Sequence, residues 1–444
     1  MRSDPAAELK ITTVRLWEFP TLENSSESGG IKRAVASRLK EIVRNRLNLF
    51  KLRRLFHLKE RFRIKRKSGI RRLASIPQGI NLVAYIRAEM GLGSIARGMA
   101  SAFEAVHIPF KVINVELGNY SRHRDYSWSH KEVRRTGYDI TLVCMNPDNS
   151  FYLRTQVPAK ILGDRYVIGN WFWELPEWPD EWLAEFEFTD EVWAASRFIR
   201  DAVSLKSPVP VVRIPPVVRL SHTKQFSRRQ LGLPERRYLF LAMFDTKSVL
   251  ERKNPLGTLR AFKQAFPGTD ESVGLIMKFN NPDDQQPVMQ ALRAEMAGRE
   301  NVFMLDHVMD RDELNSLIRV SDCFVSLHRA EGFGLGPAEA MSMGKPSIMT
   351  NWSGNTDYMT PDNSMGVDYE LVKLGQDYGS YKAHQHWAEP DLEQAAYWMK
   401  TIVQDAELRQ RIGGRAQETI NSEFSPEAVG RLIQTRLDHI RRNA

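Results

Sequence analysis

From Gln78 onward, short apolar runs alternate with stretches of helical spacing, and this alternation constrains the fold more than any other feature of the chain. INLVAYI (80–86) leads into the glycine loop MGLGS and the helical IARGMASAFEAV. FKVINV and YDITLVCM follow as further strands, and RYVIGNWFWE and DEVWAAS carry the pattern to about residue 206. Runs of this kind, joined by helices, predict right-handed βαβ units and a parallel sheet. A second series then begins: YLFLAMF, a helix from Pro255, VGLIMKF, a helix over 285–297, NVFMLD, a helix over 311–319, CFVSLH and KPSIMT. Helices near 391–404, 406–421 and 425–442 close the chain.

A chain of 444 residues exceeds what one core usually serves, so two domains are expected. SPVPVVRIPPVV (207–218) is too rich in proline to be helical and reads as the linker between them. The expected division is a poorly ordered leader over 1–31, a basic amphipathic segment over 32–77, a first domain over 78–206, the linker over 207–218, a second domain over 219–390, and closing helices over 391–444. The last of these helices should fold back on the first domain.

The net charge of +9 is unevenly spread. Residues 32–72 hold seventeen Lys/Arg against Glu41 and Glu60, a local net of +15, so the remainder is slightly acidic. Within that segment Leu39, Val43, Leu47 and Phe50 recur at helical spacing, which predicts a helix apolar on one face and cationic elsewhere. It reads as a helix lying on an anionic membrane surface, in preference to a solvated charged helix or a nucleic-acid arm. No stacking platform or nucleic-acid motif accompanies the charge, so no nucleic acid is expected. Cys144 and Cys323 sit in apolar runs and read as buried thiols of a reducing compartment. No apolar run approaches the ~20 residues that span a bilayer, so a cytoplasmic protein, peripheral at the inner face of the cell membrane, is expected.

The chemistry should lie in RAEGFGLGPAEAMSMGKP (329–346). CFVSLH is a strand, Arg329 to Gly336 a loop, and Pro337 suits the first position of a helix. Gly332, Gly334 and Gly336 let backbone approach a ligand, and a helix N-terminus favours phosphate. Glu331 and Glu339 would repel phosphate, so they must face something neutral and rich in hydroxyls beside it. A nucleotide sugar carries both kinds of group.

On these residues the chain resembles the retaining GT-B glycosyltransferases of the Glu-x7-Glu type, the group that includes bacterial mannosyltransferases and sucrose synthases. Glu331 and Glu339 stand at the signature spacing. SLHRAEGFGLGPAEAM, NWSGNTDYM, GNWFWELPEWPDEW and DEVWAASRFIRDA look like a bacterial polysaccharide-assembly branch, and the likeness covers roughly residues 80–440. It implies an α/β fold of two Rossmann-like domains facing a central cleft, here with a basic N-terminal extension. It implies transfer of a hexose, such as mannose, from a GDP- or UDP-linked donor to a saccharide acceptor that is lipid-linked, with retention and without a metal ion or other cofactor.

Carried over by position, Glu331 should meet the donor sugar and Glu339 the ribose, with the N–H groups of Phe333, Gly334 and Leu335 facing sugar and diphosphate. Arg252 and Lys253 stand where the family keeps a lysine on the diphosphate, although Lys247 occupies a position often held by arginine. Gly91 and Gly93 would face the transferred phosphate, and Lys278 would be a further phosphate contact. After YDITLVCM the chain has Asn146 where many relatives place a histidine, which allows a hydrogen bond but no proton transfer. His328 either faces the cleft or is hydrogen-bonded in the core. In the tryptophan-rich segment, Trp173 and Glu174 are the acceptor-site candidates.

Overall fold

Both strand series form parallel sheets. The computed structural model describes residues 73, 75–119, 121–220, 224–268 and 270–443, all within one unit, Lys65–Ala444. The expected leader, and the basic segment as far as residue 72, lie outside the described residues.

The first series comprises β1 (Ile80–Ala84), α1 (Gly91–Ala105), β2 (Phe110–Asn114), β3 (Ile140–Cys144), α2 (Ser150–Gln156), α3 (Ala159–Gly163), β4 (Tyr166–Trp171), β5 (Glu191–Ala194), α4 (Arg197–Ser204) and β6 (Val211–Arg213). Its sheet runs β2-β1-β3-β4-β5-β6. Residues 207–218 therefore do more than link. Val211–Arg213 pairs in parallel with Val192–Ala194, because its short extended run presents backbone to an otherwise open sheet edge. The crossing between domains falls after that strand.

The second series comprises β7 (Tyr238–Asp245), α5 (Leu250–Lys253), α6 (Pro255–Ala265), β8 (Val273–Asn280), α7 (Pro287–Met296), β9 (Val302–Leu305), α8 (Arg311–Val320), β10 (Cys323–Ser326), α9 (Leu335–Ser342), β11 (Ser347–Thr350) and β12 (Met365–Val367). Its sheet runs β12-β11-β10-β7-β8-β9, so the chain reverses direction of travel between β7 and β10. An antiparallel hairpin that the sequence did not announce follows, β13 (Tyr369–Lys373) with β14 (His386–Pro390). The chain ends in α10 (Leu392–Gln404), α11 (Ala406–Glu423) and α12 (Pro426–Asn443).

Strand cores account for the apolar runs: all five residues of β1 and β3 are buried, as are seven of eight in β8. Both cysteines are buried and free. The last helix leaves the second domain and lies on α1. Val429, Ile433, Leu437 and Ile440 join Ile80, Met99 and Phe103 in one cluster. Arg436 and Arg441 pair with the buried Glu191 and Asp139.

A further cluster joins the two domains along one side. It gathers Trp171, Trp173, Trp178 and Ile199 of the first with Ala330, Phe333, Trp352 and Tyr358 of the second. Each large side chain buried there contributes roughly 1.5–3 kcal/mol. Ser196 Oγ donates to Gly332 O at 2.6 Å, and Asp357 is paired with Arg197 and Arg213. The loop that carries Glu331 is thus held from both domains.

Candidate active site

In open parallel sheets, ligands bind beyond the carboxyl ends of the strands where the strand order reverses. In the second domain that point lies between β7 and β10, and the candidate residues gather there.

After β7 the chain makes the single turn α5. Asn254 then adopts a left-handed conformation (φ 52°), and its side chain accepts from Gly257 N at 3.1 Å, capping α6 ahead of Pro255. This sharp junction holds Arg252 and Lys253 at the strand's end. After β10, Gly334 is left-handed as well (φ 82°), a conformation that favours glycine, and Tyr358 Oη donates to its carbonyl at 2.7 Å. Helix α9 begins at Leu335, so Pro337 is its third residue rather than its first. Among the described residues, no acceptor takes the N–H groups of Phe333, Gly334 or Leu335. They form the start of a helix, where bare amides and the helix dipole favour an anion.

Glu331 is buried, and Lys253 and Arg252 both reach its carboxylate: Lys253 Nζ bonds Oε1, and Arg252 Nη1 lies 3.4 Å from Oε2. Burial alone would raise its pKa, but the two cations outweigh burial and hold it at about 2. Because this is below the usual carboxylate value of 4.5, the associated stability is complete above that value and is lost as pH falls towards 2. Arg252 is itself only 4% exposed. It donates to Ala330 O at 2.6 Å and Ser248 Oγ at 2.8 Å, and although burial works against the cation, Glu331 keeps it protonated. Lys253 is the more accessible of the two, able to exchange Glu331 for an incoming anion. The loop is fixed from behind by Ser353, whose Oγ accepts from Glu331 N at 2.9 Å, and by Gly354 N, which donates to Glu331 O at 2.8 Å.

Glu339 is buried on α9 and pairs with Arg311, the first residue of α8. The sequence reading missed Arg311; its one signal is its place at the head of the helix following β9. His328 belongs to the core. Its Nε2 lies 2.9 Å from Asn355 Oδ1 and its Nδ1 3.0 Å from both Ser326 Oγ and Ser326 O, and burial lowers its pKa.

Three other expectations change. Lys278 does not face a phosphate: it is 1% exposed, and its Nζ donates to Phe279 O, Asn280 Oδ1 and His307 O at 2.7, 3.1 and 2.8 Å. An ammonium has three donors, and all three are used. Trp173 offers no face to a sugar. Its ring is buried among Trp178, Trp182 and Tyr381, and its Nε1 donates to Glu177 O at 2.8 Å, so it supports the cleft from within. The glycine loop of the first domain is the opening turn of α1. Gly91 is exposed, whereas a Cβ on Gly93 would lie 2.1 Å from Ala88 O, so Gly93 is needed for helix packing.

Asn146 does sit at the carboxyl end of β3, where its Oδ1 accepts from Phe172 N at 2.8 Å and ties that end to β4. Glu174 is partly buried and accepts from Tyr381 Oη at 2.6 Å, a tyrosine carried by the loop of the β13–β14 hairpin. Tyr381 also packs on the Trp173 ring, and Gln385 Nε2 donates to Glu177 O at 3.1 Å, so the hairpin lies against the tryptophan-rich segment. Among the described residues, no group of three or more His, Cys, Asp or Glu converges as metal ligands do.

This arrangement offers two cations and a helix N-terminus to a phosphate and two buried carboxylates to hydroxyl groups, the complement of a phosphorylated, hydroxyl-rich ligand. Residues 223–369 match the family model described as Glycosyl transferases group 1. No curated protein matches the chain significantly. Among solved structures, the chain is similar to HepE from Anabaena in complex with UDP and glucose, with a TM-score of 0.56 and 15% identity over 82% of this chain and 100% of that one. It is similar to sucrose-phosphate synthase from Thermosynechococcus elongatus, with a TM-score of 0.58 and 16% identity over 83% and 100%. It is similar also to a glycosyltransferase from Rickettsia africae, with a TM-score of 0.57 and 13% identity over 83% and 100%. Two parallel-sheet, Rossmann-like domains and these structural neighbours give the chain the GT-B fold.

Proposed function

We propose that the chain is a glycosyltransferase that moves a hexose from a nucleoside-diphosphate sugar to a saccharide acceptor, with retention and without a metal ion. The observation that carries this reading is the Lys253–Glu331–Arg252 cluster at the strand-order reversal, beside the free amides that open α9. The diphosphate would take Lys253 and those amides; Glu331, released from Lys253, would hold the sugar hydroxyls, and Glu339 the ribose. As the bond to the sugar breaks, positive charge develops on the ring and negative charge on the leaving phosphate. Fixed cations and amide dipoles stabilise the latter most effectively where water is excluded. The leaving oxygen would take the acceptor's proton, so no protein nucleophile is required and the protein's part is orientation and electrostatics. The Anabaena structure's UDP and glucose, and the family match over the second domain, support the donor class.

The finer reading is of a mannose-type hexose and a lipid-linked acceptor in surface polysaccharide assembly. The basic residues 32–72 would hold the enzyme at an anionic membrane, raising the effective concentration of a membrane-bound acceptor. Among the described residues no helix is long and apolar enough to cross a membrane.

A calorimetric screen of UDP, GDP and their hexose conjugates, followed by donor turnover in chelator, tests the reading. One nucleoside diphosphate should bind, and its sugar conjugate should turn over with chelator present. Sugar or nucleic-acid binding without turnover of any conjugate would favour a non-catalytic binding protein on the same fold.

A further inference from the structure

We propose that Tyr381, on the loop of the β13–β14 hairpin, is a positioning residue that holds Glu174 as the carboxylate receiving a hydroxyl of the saccharide acceptor; the inference rests on the nucleotide-sugar reading. Glu174 follows the carboxyl end of β4, the strand that closes at Trp171. Its peptide stands against the loop that carries Glu331, since a Cβ on Gly332 would lie 3.0 Å from Trp173 O. A group that receives the acceptor must stand beside the donor sugar. The backbone puts Glu174 next to the loop that would hold that sugar.

The carboxylate is half engaged. Tyr381 Oη donates to Oε2 at 2.6 Å, the short separation of a hydroxyl bonded to a charged acceptor. Both oxygens of a carboxylate accept, yet among the described residues Oε1 takes no hydrogen bond. The side chain is partly exposed, so that oxygen is left for a ligand's hydroxyl. Ordering a long, flexible side chain at the moment of binding costs affinity, and a glutamate already held by a tyrosine avoids that cost.

The hairpin is built to do the holding. At its base Ala388 N donates to Arg329 O at 2.9 Å, and Arg329 N donates to Arg252 O at 2.7 Å. Strand β14 is therefore bonded, through one residue, to the turn that carries both site cations. The Arg329 side chain pairs with Glu389 at 2.6 Å and donates to Glu251 O at 2.8 Å, which locks that junction. At the tip Tyr378 and Tyr381 exchange backbone hydrogen bonds at 2.8 and 3.1 Å, fixing where the Tyr381 ring leaves the main chain. The ring then packs on Trp173 with centroids 5.0 Å apart. One hydrogen-bonded element thus reaches from Arg252 to Glu174 and sets the spacing between the donor's cations and the acceptor's carboxylate.

The test is steady-state kinetics of the full chain with UDP-glucose or GDP-mannose, whichever turns over. The acceptor probes are the methyl α-glycosides of mannose, glucose and galactose. Tyr381→Phe keeps the ring on Trp173 and removes only the hydroxyl. It should raise the KM of the glycoside used at least fivefold and change kcat and nucleoside-diphosphate affinity less than twofold, because binding lost equally in ground and transition states appears in KM. Glu174→Ala should raise the same KM at least tenfold. Adding Tyr381→Phe to it should cost less than a further twofold, because the hydroxyl acts only through the carboxylate. Multiplied effects in the double variant, or an unchanged KM in Tyr381→Phe, overturn the proposal. So does a loss of nucleotide affinity that matches the rise in KM, which would make the hairpin part of the donor site. A wild-type chain that hydrolyses its donor yet transfers to none of the three glycosides also overturns it, and leaves the donor reading standing. A chain that turns over neither donor removes the nucleotide-sugar reading itself, and the role of Tyr381 with it.

Discussion

Each domain buries two carboxylates against arginines, yet the two pairs of sites serve different ends. In the first domain Asp139 precedes β3 and Glu191 opens β5, so both lie at the amino ends of strands, and their partners Arg441 and Arg436 belong to the last helix. In the second domain Glu331 and Glu339 lie beyond the carboxyl end of β10, and their partners Arg252, Lys253 and Arg311 stand at the ends or heads of elements on that same edge. The chemistry of the pairs is alike. What separates a clamp for a helix from a site for a ligand is the edge of the sheet on which the pair sits, and whether bare amides converge beside it.

Three substitutions test this contrast. Glu191 accepts from Arg436, Tyr166 Oη and Trp193 Nε1, and removing one member of a buried ion pair costs about 3–5 kcal/mol. Glu191→Ala should therefore lower stability by that amount in urea unfolding, while turnover per folded molecule stays at the wild-type level. Loss of turnover without loss of stability would break the comparison at its base. Glu331→Gln should do the reverse. Removing a charge aimed at the transition state typically costs a hundredfold or more in rate, about 3 kcal/mol, and nucleotide affinity should be nearly unchanged. Steady-state kinetics set against calorimetry would show it, and wild-type turnover in this variant would displace Glu331 from the centre of the site. Glu339→Ala is the mildest. A hydrogen bond from a ribose hydroxyl to a charged group is worth about 1.5–3 kcal/mol, so nucleotide affinity should fall by about one to two orders of magnitude. An effect on stability alone would move Glu339 into the company of Glu191.

The sheets were legible because a strand covered on both faces reads as a near-continuous apolar run, and INLVAYI, YDITLVCM and VGLIMKF do so, interrupted only by Asn81, Asp139, Thr141 and Lys278. The hairpin was not legible for the opposite reason: four of five residues of β13 are exposed, so no apolar pattern marks it. At the site, residue type and spacing drew the eye to Glu331 and Glu339, because glycines beside carboxylates have few structural uses, whereas Arg252 and Lys253 came from the family resemblance; the structure places all four on one edge of the sheet. Direction was harder to read. Lys278 and Trp173 lie near strand ends where a shift of one residue exchanges cleft for core, and only the three-dimensional neighbours decide which is faced. Arg311 was invisible because its partner is 28 residues away along the chain.

The peptide between β6 and the second domain touches the peptide that returns from α11 to α12: Val218 N donates to Phe424 O at 2.9 Å. That bond is one stitch among several, since the tryptophan-rich cluster, the Ser196–Gly332 hydrogen bond and the Asp357 pairs with Arg197 and Arg213 also cross between the domains. The returning chain then ends as a patch sewn onto the first domain: α12 lays Val429, Ile433, Leu437 and Ile440 over Ile80, Met99 and Phe103 and is pinned by two buried ion pairs. A C-terminal truncation before Pro426 would lift that patch and leave Glu191 and Asp139 buried without their arginines, a loss the first domain would feel although none of the removed residues belongs to the second domain's site.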